Sequence, residues 1–304
     1  MEIDMESANY PSKPIRLVTT GGGGSHEYAA RFLAPALEKA LGQPVEIDFQ
    51  PESGSDQAEI VSRATPDGHT LLVSGRTHWL IPLLRPDARY NALRDFAPIS
   101  QTTRGAEVLV VRPDAPFRTA ADIVTAARIN PGMLTYASNG DGGNNHLAAE
   151  LFKMKAGIDI RRIRCRNSAE RFAKLLAGEV DMFFTGICSF ADQIREGKLK
   201  ALGVTSSTRS SIAPGLPTIA ESGVSGYENI TIGALFGPAN TPKPILNRLS
   251  EVTAKVMQSS DAQAYFAEDG YEPVGSTQQE LLDLIIADTK RVENLLKDRK
   301  SAFV

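Results

Sequence analysis

Cysteine is nearly absent from this chain. Cys165 and Cys188 are the only two among 304 residues, too few for a disulfide framework to hold the fold together. They either form one bridge or remain two small apolar thiols. No run of about 18 apolar residues occurs, so no segment can satisfy its backbone across a bilayer as a helix. Positive charge is not in excess either: 33 Lys and Arg stand against 36 Asp and Glu, a net charge of −3. That leaves no broad cationic surface for a phosphate backbone, and nucleic acid is not an expected partner.

The usual signatures of cofactor and catalytic chemistry are missing too. The four histidines, His26, His69, His78 and His146, lack metal-ligand spacing, and Ala30 stands where a zinc helix beginning at His26-Glu27 would need its second histidine. No Gly-Lys-Ser/Thr follows the glycine run, no G-x-S-x-G occurs, and G-x-G-x-x-G fails twice, at His26 and at Asn145. No metal and no cofactor are expected. The first residues, Met1-Glu2-Ile3-Asp4-Met5-Glu6-Ser7, are acidic and carry no secretory signal. This fits a cytoplasmic protein or one whose signal has been removed.

What is present is a 42% hydrophobic chain long enough for two lobes. Pro14–Thr19 reads as a strand, Gly21–Gly24 as a turn, and Ser25 opens a helix with Tyr28, Phe32, Leu33, Leu37 and Leu41 on one face. Pro35 should kink this helix, and Gly42 should end it before a strand at Val45–Phe49. A helical stretch at Asp56–Ala64 and a strand at Thr70–Ser74 repeat the order. A second unit starts near Val108–Val111, with a helix over Thr119–Ile129, a strand Leu134–Ala137, a polar glycine-rich turn Ser138–Asn145 and a helix His146–Ala156. Helix Ala169–Gly178 and strands Val180–Phe184 and Leu202–Thr205 follow, then an irregular Pro214–Gly226. Thr241-Pro242 reads as a capped helix start, and Thr277-Gln278-Gln279-Glu280 as a capping box opening a long last helix. Alternating strands and helices imply mainly parallel sheets covered on both faces, with ligands beyond the carboxyl ends of the strands.

Two features carry chemistry. A strand-to-helix glycine turn leaves backbone N–H groups free beside the positive end of a helix dipole, which suits an anion. The same glycines also serve as a tight connection with no ligand, and Ser138–Asn145 reads equally as a solvated loop. The second feature is Cys165 between Arg164 and Arg166, where neighbouring cations would activate an exposed thiol. Along a strand, alternation would send Arg162, Arg164 and Arg166 to one face.

An ordered series of segments resembles the periplasmic solute receptors of tripartite tricarboxylate transporters, the Bug proteins. It runs from Tyr10-Pro11-Ser12-Lys13-Pro14-Ile15-Arg16 through Pro66-Asp67-Gly68-His69-Thr70, Asp95-Phe96-Ala97-Pro98-Ile99, His146–Phe152 and Leu175–Asp181 to Leu216-Pro217-Thr218 and Glu272-Pro273-Val274-Gly275. Departures are local. Thr19-Thr20-Gly21 replaces the family's common Phe-Pro-Ala, Arg164-Cys165-Arg166-Asn167 replaces Pro-Tyr-Lys-Gly, Thr185 replaces an Asp, and Ile232-Gly233 replaces bulky aromatics.

The resemblance implies a two-lobed α/β fold of the periplasmic-binding-protein type II class, with a ligand cleft between lobes. Lobe I is expected at 11–106 plus 233–304 and lobe II at 107–232, with hinges near 104–110 and 230–237 and an N-terminal extension over 1–10. It also implies a monomeric, non-catalytic, periplasmic receptor that delivers a small carboxylate, di- and aromatic carboxylates included, to the membrane components of such a transporter. Carried over by position, the ligand residues are Thr19, Thr20, Gly21, Gly22, Gly23, Gly24, Ser25, Ser74, Gly75 and Arg76 from the first lobe. Those from the second are Ser138, Asn139, Gly142, Asn144, Cys165, Arg166, Thr185 and Gly186. A ligand sensor signalling to a partner protein, and a Cys165-dependent enzyme, are the alternatives.

Overall fold

The structure, a computed structural model, describes residues 9–21, 25–50, 56–84, 87–139 and 143–297. In chain order the elements are β1 (Ile15–Thr20), α1 (Ser25–Leu41), β2 (Val45–Gln50), α2 (Asp56–Ser62), β3 (Thr70–Gly75), α3 (Arg76–Leu84) and the long β4 (Phe96–Val111). Next come α4 (Ala120–Ile129), β5 (Thr135–Ser138), α5 (Asn144–Ala156), β6 (Arg161–Arg164), α6 (Ser168–Leu176), β7 (Met182–Gly186), the short α7 (Ala191–Arg195) and β8 (Lys200–Val204). The chain ends with β9 (Ile230–Pro238), α8 (Lys243–Met257), α9 (Ser260–Glu268), β10 (Glu272–Pro273) and α10 (Gln278–Lys297).

The chain divides into two compact units. The first takes the described residues up to Arg104 together with Ile232–Ala267 and Glu272–Asn294, and the second takes Gly105–Thr231 with Glu268–Tyr271 and the described residues from Leu295. Both β4 and β9 therefore give residues to each unit.

In the first unit β1 lies between β2 and β3, all parallel, and β9 runs antiparallel on β3 with Gly75 opposite Gly233. β10 adds antiparallel to the first part of β4, at Thr103 and Arg104. Near-continuous apolar runs such as Leu71-Leu72-Val73, all buried, are what a sheet covered on both faces requires. Gly68, at φ 79°, turns the chain into β3 where a Cβ would lie 2.5 Å from the Ile245 side chain, so both its dihedral and its space demand glycine.

In the second unit β5 lies between β6 and β7, all parallel, and the latter part of β4 runs antiparallel to both β7 and β8. The period of two sorts its core. Leu109, Val111, Met182 and Phe184 join one apolar cluster with Tyr136, Phe152 and Tyr227, while Val108, Val110 and Phe183 join another with Cys165, Leu175 and Phe190. Successive side chains on one strand thus feed cores on opposite faces, which is why helices cover both. Each buried Phe contributes roughly 1.5–3 kcal/mol.

Two local expectations change, and Arg76–Leu84, to which no element was assigned, is a helix despite Pro82. The Thr241 hydroxyl donates to Pro238 O at 2.8 Å instead of capping α8, whose N-cap is Pro242. β6 ends at Arg164, so Arg166 is not on its face. Both cysteines are free.

Candidate functional site

In the first unit the ends of β1 and β3 and the start of α1 come together. Thr19 is fully buried and its hydroxyl donates to Val73 O at 2.9 Å, so it ties β1 to β3. Thr20 is half-buried, and the Gly21 N–H donates to Gln50 O at 3.0 Å. Gly22, Gly23 and Gly24 lie outside the described residues. Ser25 opens α1, and the next residue, His26, brings its Nε2 to 2.7 Å from where a Cβ on Gly75 would stand. That same Cβ would be 1.8 Å from Ile232 O, so no residue but glycine fits at the end of β3. Ser74, just before it, is buried opposite Ala234.

Opposite Gly75, a Cβ on Gly233 would fall 2.3 Å from the Thr103 hydroxyl and 2.9 Å from that of Thr102. His26 Nε2 and the Thr102 and Thr103 Oγ1 atoms are shut off from solvent without a hydrogen-bond partner among the described residues. Burial pushes the His26 imidazole down to about 4. His78, on α3, is pushed to about 3, by burial first and then by His26. It stacks on Tyr90 at 5.0 Å and meets Phe96 edge-on at 4.4 Å, which makes it part of the core.

Arg76 does not have the place expected of it. Its side chain is 1% exposed, and its Nε and Nη2 donate to the two carboxylate oxygens of Asp288 on α10, each at 2.8 Å. Trp79 Nε1 donates to the same carboxylate at 2.9 Å. Burial alone would raise Asp288, but the hydrogen bonds and charge of Arg76, with Trp79 and Arg291, hold it below the usual carboxylate range. This bidentate pair commits the guanidinium to the scaffold.

In the second unit the parallel β5 and β7 end side by side. Ser138 is buried at the end of β5, and Asn139 follows, half-buried. Gly142 lies outside the described residues. Gly143 caps α5 without a side-chain bond, and Asn144 is the first helical residue, so the helix start relies on groups other than a capping side chain. Thr185 is buried opposite Val108, and Gly186 opposite Glu107. A Cβ on Gly186 would stand 3.0 Å from the Ser189 hydroxyl and 3.7 Å from that of Tyr271, whose ring in turn lies against bare Gly105.

The cation at this turn is Arg162, from β6. Its Nε donates to Ser138 Oγ at 2.6 Å and its Nη2 to Asn139 O. Half-burial pushes the guanidinium down from its ordinary value. Beside it, Tyr136 donates to Glu150 at 2.5 Å, Lys153 pairs with Glu150 at 2.8 Å, and His146 is driven to about 3 by burial, then by Arg162 and Lys153. In the sequence Arg162 stands in an arginine cluster with no site of its own. Its register opposite Tyr136 on β5, one residue before Ala137 and two before Ser138, brings it to the turn, and no local pattern gives that register.

Two neighbours expected in the site are elsewhere. Arg166 is 88% exposed and paired with Glu170 at 2.9 Å, because β6 has ended and α6 begins just after it. Cys165 donates its N–H to Ser138 O at 2.9 Å, but its side chain is in the apolar cluster with Val108 and Phe183, and burial pushes its thiol up. The expected activation by flanking arginines is lost because the thiol is desolvated while Arg164 and Arg166 stay at the exposed ends of their segment.

Among the described residues no group of three or more His, Cys, Asp and Glu could hold a metal ion, and no helix is long and apolar enough to cross a membrane.

Residues 29–300 match the family described as the tripartite tricarboxylate transporter family receptor. A protein encoded in the tcbD–tcbE intergenic region of a Pseudomonas strain is 32% identical over 94% of this chain and 86% of its own length. The Bordetella pertussis protein BugT is 29% identical over 95% and 90%. Among solved structures, an R. palustris protein with adipate superposes with a TM-score of 0.84 at 28% identity, covering 95% of this chain and 97% of its own. MatC from Rhodopseudomonas palustris, with bound malate, gives 0.82 at 25% identity, over 94% and 100%.

Proposed function

The chain belongs to the tripartite tricarboxylate transporter receptor family, and from that premise we propose that it captures a small carboxylate and hands it to a membrane transporter in the periplasm. It acts as a monomer without catalysis. The observation that carries this reading is the Ser138–Asn139 turn. A half-buried guanidinium, two hydrogen-bonding residues and a helix start with no side-chain cap converge there at the ends of parallel strands. Such a place favours a carboxylate through charge and dipole, with no general acid or base required. In the first unit Thr20, Gly21, Ser25 and Gly75 supply a backbone-rich surface of their own at the strand ends. The adipate and malate held by the two R. palustris relatives support a carboxylate as the ligand class.

Thermal unfolding against mono-, di- and tricarboxylates, aromatic acids included, tests the proposal. A ligand at 100 times its Kd adds about 2.7 kcal/mol to the folded state, which moves Tm by roughly 5 °C or more in a chain of this size. If no member of a broad acid panel moves the transition, the carboxylate reading fails. Iodoacetamide at neutral pH addresses the Cys165 alternative: the buried, raised thiol is expected to stay unmodified in the native protein.

A further inference from the structure

Behind the Ser138–Asn139 turn, within the second unit, lies a buried ion pair to which the carboxylate reading gives no role. Glu150, on α5, is 3% exposed, and Lys153 pairs with its Oε1 at 2.8 Å. The same oxygen accepts from the Tyr136 hydroxyl at 2.5 Å, and Lys153 Nζ stands 5.7 Å from the centre of the Tyr136 ring. Taking two charges out of water is costly, and two apolar side chains of similar volume would serve a fold as well. The scaffold alone does not call for charges here.

The pair is electrically coupled to the turn. Arg162 stands opposite Tyr136 in the parallel register of β5 and β6, so the two side chains share a face of the sheet. Half-burial lowers the Arg162 guanidinium, while Tyr136 and Glu150 act the other way. Lys153 reaches the first turn of α5: burial first, then Arg162 and Lys153, drive His146 down to about 3, so this imidazole adds no charge near neutral pH. Glu150 and Lys153 therefore oppose each other at the turn, and removing either one alone shifts the potential around Arg162.

We propose that Glu150 is a positioning residue of the anion grip: its buried carboxylate, acting through Arg162, holds carboxylate affinity below what the turn would otherwise have, and Lys153 offsets it. This rests on the receptor reading above and adds to it the group that sets the strength of the grip. A receptor that delivers its load has to release it, and a resident negative charge near the guanidinium serves that end.

Calorimetric titration of the intact protein near neutral pH with propionate, succinate, malate, adipate, citrate and benzoate tests this through the sign of each change. Glu150→Gln keeps an acceptor for Tyr136 and Lys153 but removes the charge, and is expected to tighten the best-bound acid by roughly three- to tenfold. Lys153→Met is expected to weaken it by a similar factor, and the double variant should fall between the two. Weaker binding in Glu150→Gln, which a mere brace for the fold would produce, overturns the inference and leaves the receptor reading intact. So does an affinity that neither single substitution changes. Where one single variant does not fold, the sign of the other decides. Where neither folds, the double variant, which leaves no buried charge unpaired, decides instead: affinity within about threefold of the parent is the expected cancellation, and a larger loss overturns it. If the parent binds none of the six acids, the receptor reading itself fails, and this inference with it.

Discussion

The Arg76–Asp288 pair offers the sharpest test, because sequence and structure give Arg76 different work. Asp288→Leu removes a carboxylate that accepts two bonds from Arg76 and one each from Trp79 and Arg291. The side chains are 1% and 9% exposed, so the guanidinium left behind is a buried charge without its counter-ion, at a cost of about 3–5 kcal/mol. That is a large part of the 5–15 kcal/mol that stabilises a typical folded protein. With an m-value of about 3 kcal/mol/M, the urea midpoint should fall by roughly 1–1.7 M. Arg76→Met should cost a similar amount. The double variant should cost much less than the two together, since replacing both charges by apolar groups leaves nothing unpaired. The pair also imposes a pH dependence. Asp288 is held below its unfolded value, so the unfolded chain takes up the proton first. The stabilisation is complete above pH about 4 and is lost as pH falls from there toward the folded pKa. Asp288→Leu should lack that loss. If Arg76→Met keeps its urea midpoint but loses carboxylate binding, Arg76 serves the ligand and the scaffold assignment is refuted.

Two further outcomes follow from the same reasoning. His78 is 2% exposed with its pKa near 3 against 6.5 in the unfolded chain, so acid favours unfolding: from pH 6.5 to 5 the native state should lose about 2 kcal/mol through this residue. His78→Phe, whose ring suits the surrounding Tyr90, Phe96 and Phe236, should reduce the loss of urea stability across that window by about that amount, leaving the share that the lowered His26 and His146 contribute. Arg162→Met should weaken carboxylate binding at least about tenfold, as loss of a charged hydrogen-bonding partner does, while Tm falls by only a few degrees. Unchanged affinity in that variant would count against the Ser138–Asn139 turn as the anion grip.

The legibility of this chain varied with the range of the interaction. The strand–turn–helix order was readable because apolar periodicity and glycine punctuation are local, and the Thr277–Glu280 box formed as its spacing requires. Arg76 was misread because its partner is 212 residues away, on a helix whose packing no local pattern reveals. Arg166 was misread through strand length alone: had β6 run two residues further, alternation would have turned it inward with Arg162. Cys165 shows the same limit in another form. Flanking arginines suggest a thiolate, yet desolvation by Val108, Phe183 and their neighbours decides the outcome. Thr102 and Thr103 carried no sequence signal, since two threonines in a strand are ordinary until a glycine on the neighbouring strand leaves them facing bare backbone.

The two units differ in the charge at their strand ends. In the first, Arg76 is paired with Asp288 and Arg31 with Glu27 at 2.6 Å. What remains beside Gly75 is neutral and can both donate and accept. In the second, a guanidinium is kept half-buried and oriented on Ser138 and Asn139, where it is more effective than in water because the surroundings screen it less. A carboxylate therefore has a counter-charge at the Ser138–Asn139 turn of the second unit, whereas the groups described beside Gly75 in the first are neutral.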